Sequence, residues 1–165
     1  MSGDDLFQNL SLSAPLYNDE RGWLSIIYEN KGVVLKRSAS SIGVLRGLHW
    51  QRPPATQEKI IRVVSGEIID FIAKPDDPEQ EIFARRMSPD SGWVRIGGEW
   101  AHGFYACKDA TFEYLCIGAY DESRETSLNI ERVVQSELGV DEVQLSAKDR
   151  MAKSFGRRVI WIEGR

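Results

Sequence analysis

Between Gly22 and Tyr120 the chain is cut into short runs of aromatic and β-branched residues, each closed by glycine, proline or aspartate. Residues 22–29 read GWLSIIYE, VVLKRSASSI lies between Gly32 and Gly43, and VLRGLHWQ runs up to Pro53-Pro54. EIFARRM, GWVRIGG, WAHGFYAC and ATFEYLCIGAY follow at similar intervals. Short strands this evenly spaced predict an antiparallel sandwich or barrel. The stretch KIIRVVSGEIIDFIAK (59–74) predicts two strands folded about Ser65-Gly66 as a tight hairpin. Helical signal is confined to the last third. Residues 127–139 can hold a short helix, and Ser146 is placed to cap AKDRMAKSF, with Asp149 three residues on in the position of a capping-box acid. The expected fold is an all-β sandwich of the jelly-roll type with short C-terminal helices, one domain over 1–165, large enough for a core without disulfide or metal staples. Its sheet edges need cover, and a homodimer is a simple way to supply it.

Charge and cysteine count narrow the function classes. The net charge of −4 and pI near 5.3 provide no basic field for nucleic acid. The basic pairs Lys36-Arg37 and Arg157-Arg158 read either as solvated surface or as local anion sites. Cys107 and Cys116 are too few for a disulfide framework, although one bridge stays open. No basic–apolar leader and no membrane-length apolar run is present, so a cytoplasmic protein with reduced thiols and no membrane partner is expected. The terminal IEGR is either a native tail or a protease recognition sequence.

Only two histidines occur, His49 and His102. Metal chemistry on such a sandwich usually takes about three imidazoles, and a guanidinium in the same RGLH run disfavours a divalent cation, so no metal is expected. A histidine in an apolar strand reads by default as a satisfied core group. His49, however, follows Arg46-Gly47, and His102 lies in Trp100-Ala101-His102-Gly103-Phe104, where glycine permits close approach. Arg46 and His49 are three apart, so strict alternation separates them. They share a pocket only if the strand bulges, and Gly47 is the natural place. Lys59, Ile61 and Val63 share one face of their strand; Phe112, Tyr114 and Cys116 share one face of theirs. Lys59 reads equally as a snorkelling rim residue, and Tyr114 as a core tyrosine.

Together these motifs resemble the dTDP-4-dehydrorhamnose 3,5-epimerase family. The resemblance runs through Asp19-Glu20-Arg21-Gly22, the run from Gly43 to Gln51 (GVLRGLHWQ), Pro53-Pro54 and Gln57-Glu58-Lys59. It continues through Gly66-Glu67, AHGF at 101–104, Phe112-Glu113-Tyr114, Glu125 and LSAKD at 145–149, in family order. It implies a cupin-like jelly roll, free of metal and cofactor, active as a dimer on a nucleotide-diphospho-4-keto-6-deoxysugar. By the same resemblance His49 is the base, Asp149 its carboxylate partner, Lys59 the enolate neighbour and Tyr114 the acid. Arg46, His102, Gln51 and Glu125 match substrate positions, and Arg21 a diphosphate position. Such residue types suit the chemistry. Imidazole is a good base near neutral pH, a carboxylate sets its tautomer, an ammonium stabilises an enolate, and guanidinium forks grip phosphate oxygens.

The chain also departs from the family pattern. Val34 and Lys36 stand where the family has glutamine and asparagine, and Lys36 adds charge beside the presumed diphosphate region. Of a tyrosine pair only Tyr120 remains, after Ala119. Leu128-Asn129-Ile130 lie near the place of a Trp-Asn-Asp segment. The leading expectation is epimerisation at C3, C5 or both. A 3,4-ketoisomerase and a sugar-nucleotide-binding module without turnover are the alternatives.

Overall fold

The structure is a computed structural model that describes residues 16–163. The rest of the expected domain, with Gly164-Arg165 of the IEGR tail, lies outside the described residues. Two sheets face each other. The first is six-stranded and is ordered β1-β2-β3-β10-β5-β8. It contains β1 (Leu16–Asp19), β2 (Gly22–Asn30), β3 (Val33–Ser40), β5 (Glu58–Ser65), β8 (Val94–Ile96) and β10 (Ala110–Ile117). The second is seven-stranded, ordered β12-β11-β4-β9-β6-β7-β13. It contains β4 (Leu45–Gln51), β6 (Ile68–Ala73), β7 (Glu81–Met87), β9 (Ala101–Ala106), β11 (Glu125–Asn129), β12 (Lys153–Ser154) and β13 (Arg158–Trp161). The all-β sandwich is as expected. Pairing is antiparallel except for β11–β12 and β13–β7, which are parallel.

The hairpin expected at Ser65-Gly66 does not form. β5 pairs with β10 in one sheet and β6 with β9 in the other, so the chain crosses between sheets at this point. The turn between β9 and β10 crosses at the same corner, and the two turns pack on each other. Cys107 N and Lys108 N donate to Glu67 O at 3.0 and 3.3 Å. A Cβ on Gly66, whose φ is +80°, would sit 2.1 Å from Asp109 O. One long bent ribbon, β5–β6 against β9–β10, thus replaces the local hairpin. Composition alone marks the turn; the path on either side of it is decided by which apolar faces meet.

Two cores flank the seven-stranded sheet. Between the sheets lie Ile61, Val63, Ile68, Met87, Phe104 and Phe112, which confirms the inward faces read from β5 and β10. The other face buries Leu45, Leu48, Phe71, Ile82 and Tyr105 against the C-terminal residues Ile130, Val134, Leu145 and Phe155. There α1 (Glu131–Leu138) ends at Gly139, which takes up the left-handed conformation, and α2 (Ala147–Met151) begins at its cap Ser146. Strand β12, which follows α2, pairs with β11, and β11 pairs with β4, so Ser127 lies opposite His49. This relay carries the end of the chain to the RGLH strand. Among the described residues no helix is long and apolar enough to cross a membrane.

Candidate active site

The β4 strand bulges where expected. Arg46 pairs with Phe104 and His49 with His102, so two residues of β4, Gly47 and Leu48, oppose Gly103 alone. Gly47 has φ +91°, and a Cβ there would lie 2.7 Å from His102 O. The bulge turns Arg46 and His49 into the space between the sheets and leaves Leu45 and Leu48 buried behind them. They line a cavity of about 220 Å³ with Arg21, Leu24 and Ser38 from the facing sheet, together with Lys59, His102, Phe112 and Tyr114. A second lobe of about 120 Å³ shares His49, Lys59 and Tyr114 and opens past Lys36, Gln51, Tyr120 and Glu125. The site therefore has one wall on each sheet, with the histidines on one and Tyr114 on the other.

His49 Nε2 lies 2.5 Å from Asp149 Oδ1 although a hundred residues separate them in sequence. Asp149 is 1% exposed. Burial alone would raise its pKa, but the hydrogen bond and charge of His49, with the Ser146 hydroxyl, hold it below the ordinary aspartate value. An ionised Asp149 accepts a hydrogen bond from Nε2–H and leaves Nδ1 with a free lone pair, the form a base needs. Ser146 Oγ accepts from Asp149 N at 3.0 Å, so the capping expectation holds for the backbone while the carboxylate serves the histidine. Arg21 Nη1 stands 3.6 Å from the other carboxylate oxygen, and the rest of its guanidinium grips Asp19, with Nη2 at 2.6 Å.

Lys59 Nζ donates to His49 O at 3.2 Å, and burial lowers its pKa. A buried ammonium with no carboxylate beside it gains from a negative charge arriving in the cavity. Burial raises Tyr114 far above an ordinary phenol, against the pull of Arg46, so its proton stays in place. Arg46 is oriented by Ser40 Oγ, to which Nε donates at 2.8 Å. Glu125 pairs with Lys148 and accepts from Tyr120 Oη at 3.3 Å. Gln51 reaches the outer lobe, but its amide donates to Ala55 O and Ala119 O, and its oxygen accepts from Asp121 N. Gln51 braces the wall of the lobe, with its polar atoms already satisfied.

Two residues of the site escaped the sequence reading. Asp70 Oδ1 lies 2.6 Å from His102 Nε2, and both side chains are nearly sealed from solvent. A carboxylate in the apolar run IIDFIA, sharing a face with Ile68 and Ile72, was the available signal. Lys148, the neighbour of Asp149, was hidden because its partner Glu125 is remote in sequence.

A family model described as dTDP-4-dehydrorhamnose 3,5-epimerase matches residues 7–157. The epimerase of Methanothermobacter thermautotrophicus is 29% identical over 89% of both chains, and that of Shigella flexneri is 30% identical over 85% of this chain and 87% of its own. Against the Mycobacterium tuberculosis enzyme the match is 35% identical and spans about half of that protein, 48%. Among solved structures, the Legionella pneumophila 3,5-epimerase in complex with dTDP-4-keto-L-rhamnose is 30% identical, with a TM-score of 0.61 over 86% of this chain and 84% of its own. A 3'-monoepimerase from Streptomyces bikiniensis, 23% identical with a TM-score of 0.60 over 86% and 80%, shares the fold. With its bulged RGLH strand, paired histidines and opposed tyrosine, the chain belongs to the dTDP-4-dehydrorhamnose 3,5-epimerase family.

Proposed function

We propose that the protein epimerises C3, C5 or both of a nucleotide-diphospho-4-keto-6-deoxysugar through an enolate. The observation that carries this is the opposition of a carboxylate-bound His49 and a protonated Tyr114 across one cavity, with Lys59 between the lobes. His49 Nδ1 takes the proton α to the ketone, and the C–H electron pair moves into the carbonyl to leave an enolate oxygen. Lys59 stabilises that oxygen, a preorganised charge worth a few kcal/mol (~3). Tyr114 then protonates the carbon from the opposite face, and exchange with water restores both groups. The diphosphate meets Arg46 and Arg21. The Legionella relative holds a 4-keto sugar nucleotide, which supports this substrate class.

Incubation in deuterated water with dTDP-4-keto-6-deoxyglucose, followed by NMR, tests the reading. Label at C3 and C5 with inversion is expected of a 3,5-epimerase, and label at C3 alone of a 3-epimerase. A 3-keto product would make the protein a ketoisomerase, and binding without any exchange would make it a binding module.

A homodimer suits the outer face of the six-stranded sheet. There Leu35, Ile60, Leu115 and Ile117 form an apolar strip to one side of Glu113, which Arg37 and Arg62 clamp. Free Cys107 and Cys116 support a reducing, cytoplasmic setting. As drawn, the reaction needs no cofactor, and neither nucleic acid nor membrane takes part.

A further inference from the structure

The basic pair Arg157-Arg158 lies away from the cavity between the sheets. Strand β13 begins at Arg158, forms one edge of the seven-stranded sheet and runs parallel to β7. Helix α1 packs beside it, on the face of the sheet turned away from the cavity. The chain enters β13 through a tight bend. A Cβ on Gly156, whose φ is +100°, would lie 2.4 Å from Ile82 Cδ1 and 2.9 Å from Val133 Cγ2. Gln80 holds this bend: its side-chain oxygen accepts from Gly156 N at 3.3 Å and its carbonyl from Arg157 N at 3.0 Å. Arg157 is thereby set beside α1.

A cleft of about 350 Å³ lies between helix and strand. Val133 and Val159, both packed on the core behind, line it together with Arg132, Ser136, Glu137 and the two arginines. Arg132 and Ser136 stand one turn apart on the same side of α1. Charge here runs against the rest of the chain, whose net is −4. Arg158 pairs with Glu81, and Glu137 accepts the Trp161 indole N–H at 2.6 Å. Arg132 and Arg157 have no carboxylate partner among the described residues. Two unpaired guanidiniums on one cleft repel each other. Arg132 also sits in the first turn of α1, where the helix dipole disfavours a cation, and Glu131 of that turn is directed at Arg150. A bound anion removes both penalties.

We propose that the cleft between α1 and β13 binds a phosphate monoester through Arg132, Arg157 and Ser136, as a second ligand site independent of the epimerase reading. Two unpaired cations match the charge of such a group, about −1.5 to −2 at neutral pH. The guanidinium forks and the hydroxyl supply the donors that its oxygens take. Behind the phosphate, the valines leave room for an uncharged body. The monoester is either free in solution or the headgroup of a lipid, and the two sources are separable.

Inorganic phosphate titrated into the isotope-labelled full-length protein, at neutral pH and at an ionic strength held constant with chloride, tests this by NMR. The amides of Val133, Ser136 and Val159 should move together along one saturation curve. Phosphate entering the cavity is told apart by shifts at His49 and His102. Arg132→Met and Arg157→Met should each weaken the response of the cleft on the order of tenfold, as for loss of one charge-assisted contact. Arg157→Lys should recover part of it. Arg95→Met removes the same charge from an exposed position on β8 and should leave binding within about twofold of the parent. Sedimentation with phosphatidic acid vesicles but not with phosphatidylcholine vesicles, lost in Arg157→Met, would assign the monoester to a lipid; phosphate binding without sedimentation assigns it to a soluble ligand. The proposal fails if the amides of the cleft do not respond to phosphate, or if Arg132→Met and Arg157→Met respond as the parent does. It also fails if Arg95→Met weakens the response as much as they do.

Discussion

Asp149 serves two structures at once because its backbone and side chain are separate instruments. Its amide is held by the Ser146 hydroxyl at the start of α2, and its carboxylate is free to hold His49. Asp149→Asn should therefore leave the helix cap intact and disturb the imidazole, because a neutral amide neither fixes the Nε2 tautomer nor stabilises an imidazolium. Turnover is expected to fall by roughly 10²–10⁴ with little change in the far-UV spectrum. Tyr114→Phe divides the reaction differently. Label should still enter through His49 with the original configuration retained, and inversion should be lost, as read by NMR of the recovered sugar. Lys59 and Tyr114 were legible as cavity residues because motif and alternation agreed, and His49 because the motif came with a glycine that could bulge the strand. Asp70 and Lys148 were not, since each is explained only by a partner brought close by folding.

The β4 bulge shows what one glycine contributes to an element. Gly47→Ala would bring a Cβ to 2.7 Å of His102 O at a φ that L residues avoid. A loss of about 1–3 kcal/mol in chemical denaturation is expected, with proton exchange falling further than stability because Arg46 and His49 part company. Here the sequence was readable in its condition: two polar residues three apart share a pocket only if the strand bulges, and Gly47 was the place for it. The hairpin at Ser65-Gly66 was misread because a turn signal does not say which sheet the next strand joins. On the outer face, Glu113 ties β3, β10 and β5 together. Burial pushes its pKa up, but Arg37 and Arg62 bring it below the ordinary 4.5. Its ionised form is thus favoured in the folded protein, so this stabilisation is present above pH 4.5 and is lost as the pH falls through the lower folded value. Thermal melts taken down from neutral pH should show the parent losing its margin over Glu113→Gln in that acid range. A constant margin would mean that the clamp contributes nothing.

At the level of the whole molecule, the C-terminal third is a second wall for the seven-stranded sheet and the carrier of the carboxylate that holds His49. Phe155 is buried with Leu128, Ile130 and Val134, and its amide donates to Asn129 O at 2.8 Å, which ties the segment after α2 to β11. Phe155→Ala should cost about 3–5 kcal/mol in denaturant unfolding and slow exchange as well, although the residue lines no part of the cavity. All-β class and the two helices could be read from the chain because both are local in pattern. The approach of Asp149 to His49 was legible only through the family resemblance and not from local pattern, because it depends on β12 pairing with β11 and β11 with β4.

Deuterium uptake from solvent into a 4-keto sugar nucleotide, compared between the parent protein and His49→Asn, addresses the proposed chemistry most directly. Asparagine can keep a hydrogen bond to Asp149 yet has no basic nitrogen. The parent should label carbon α to the ketone, and the variant should be slower by at least about 10², with dTDP binding unchanged. Labelling by His49→Asn at the parent rate would show that another group removes the proton.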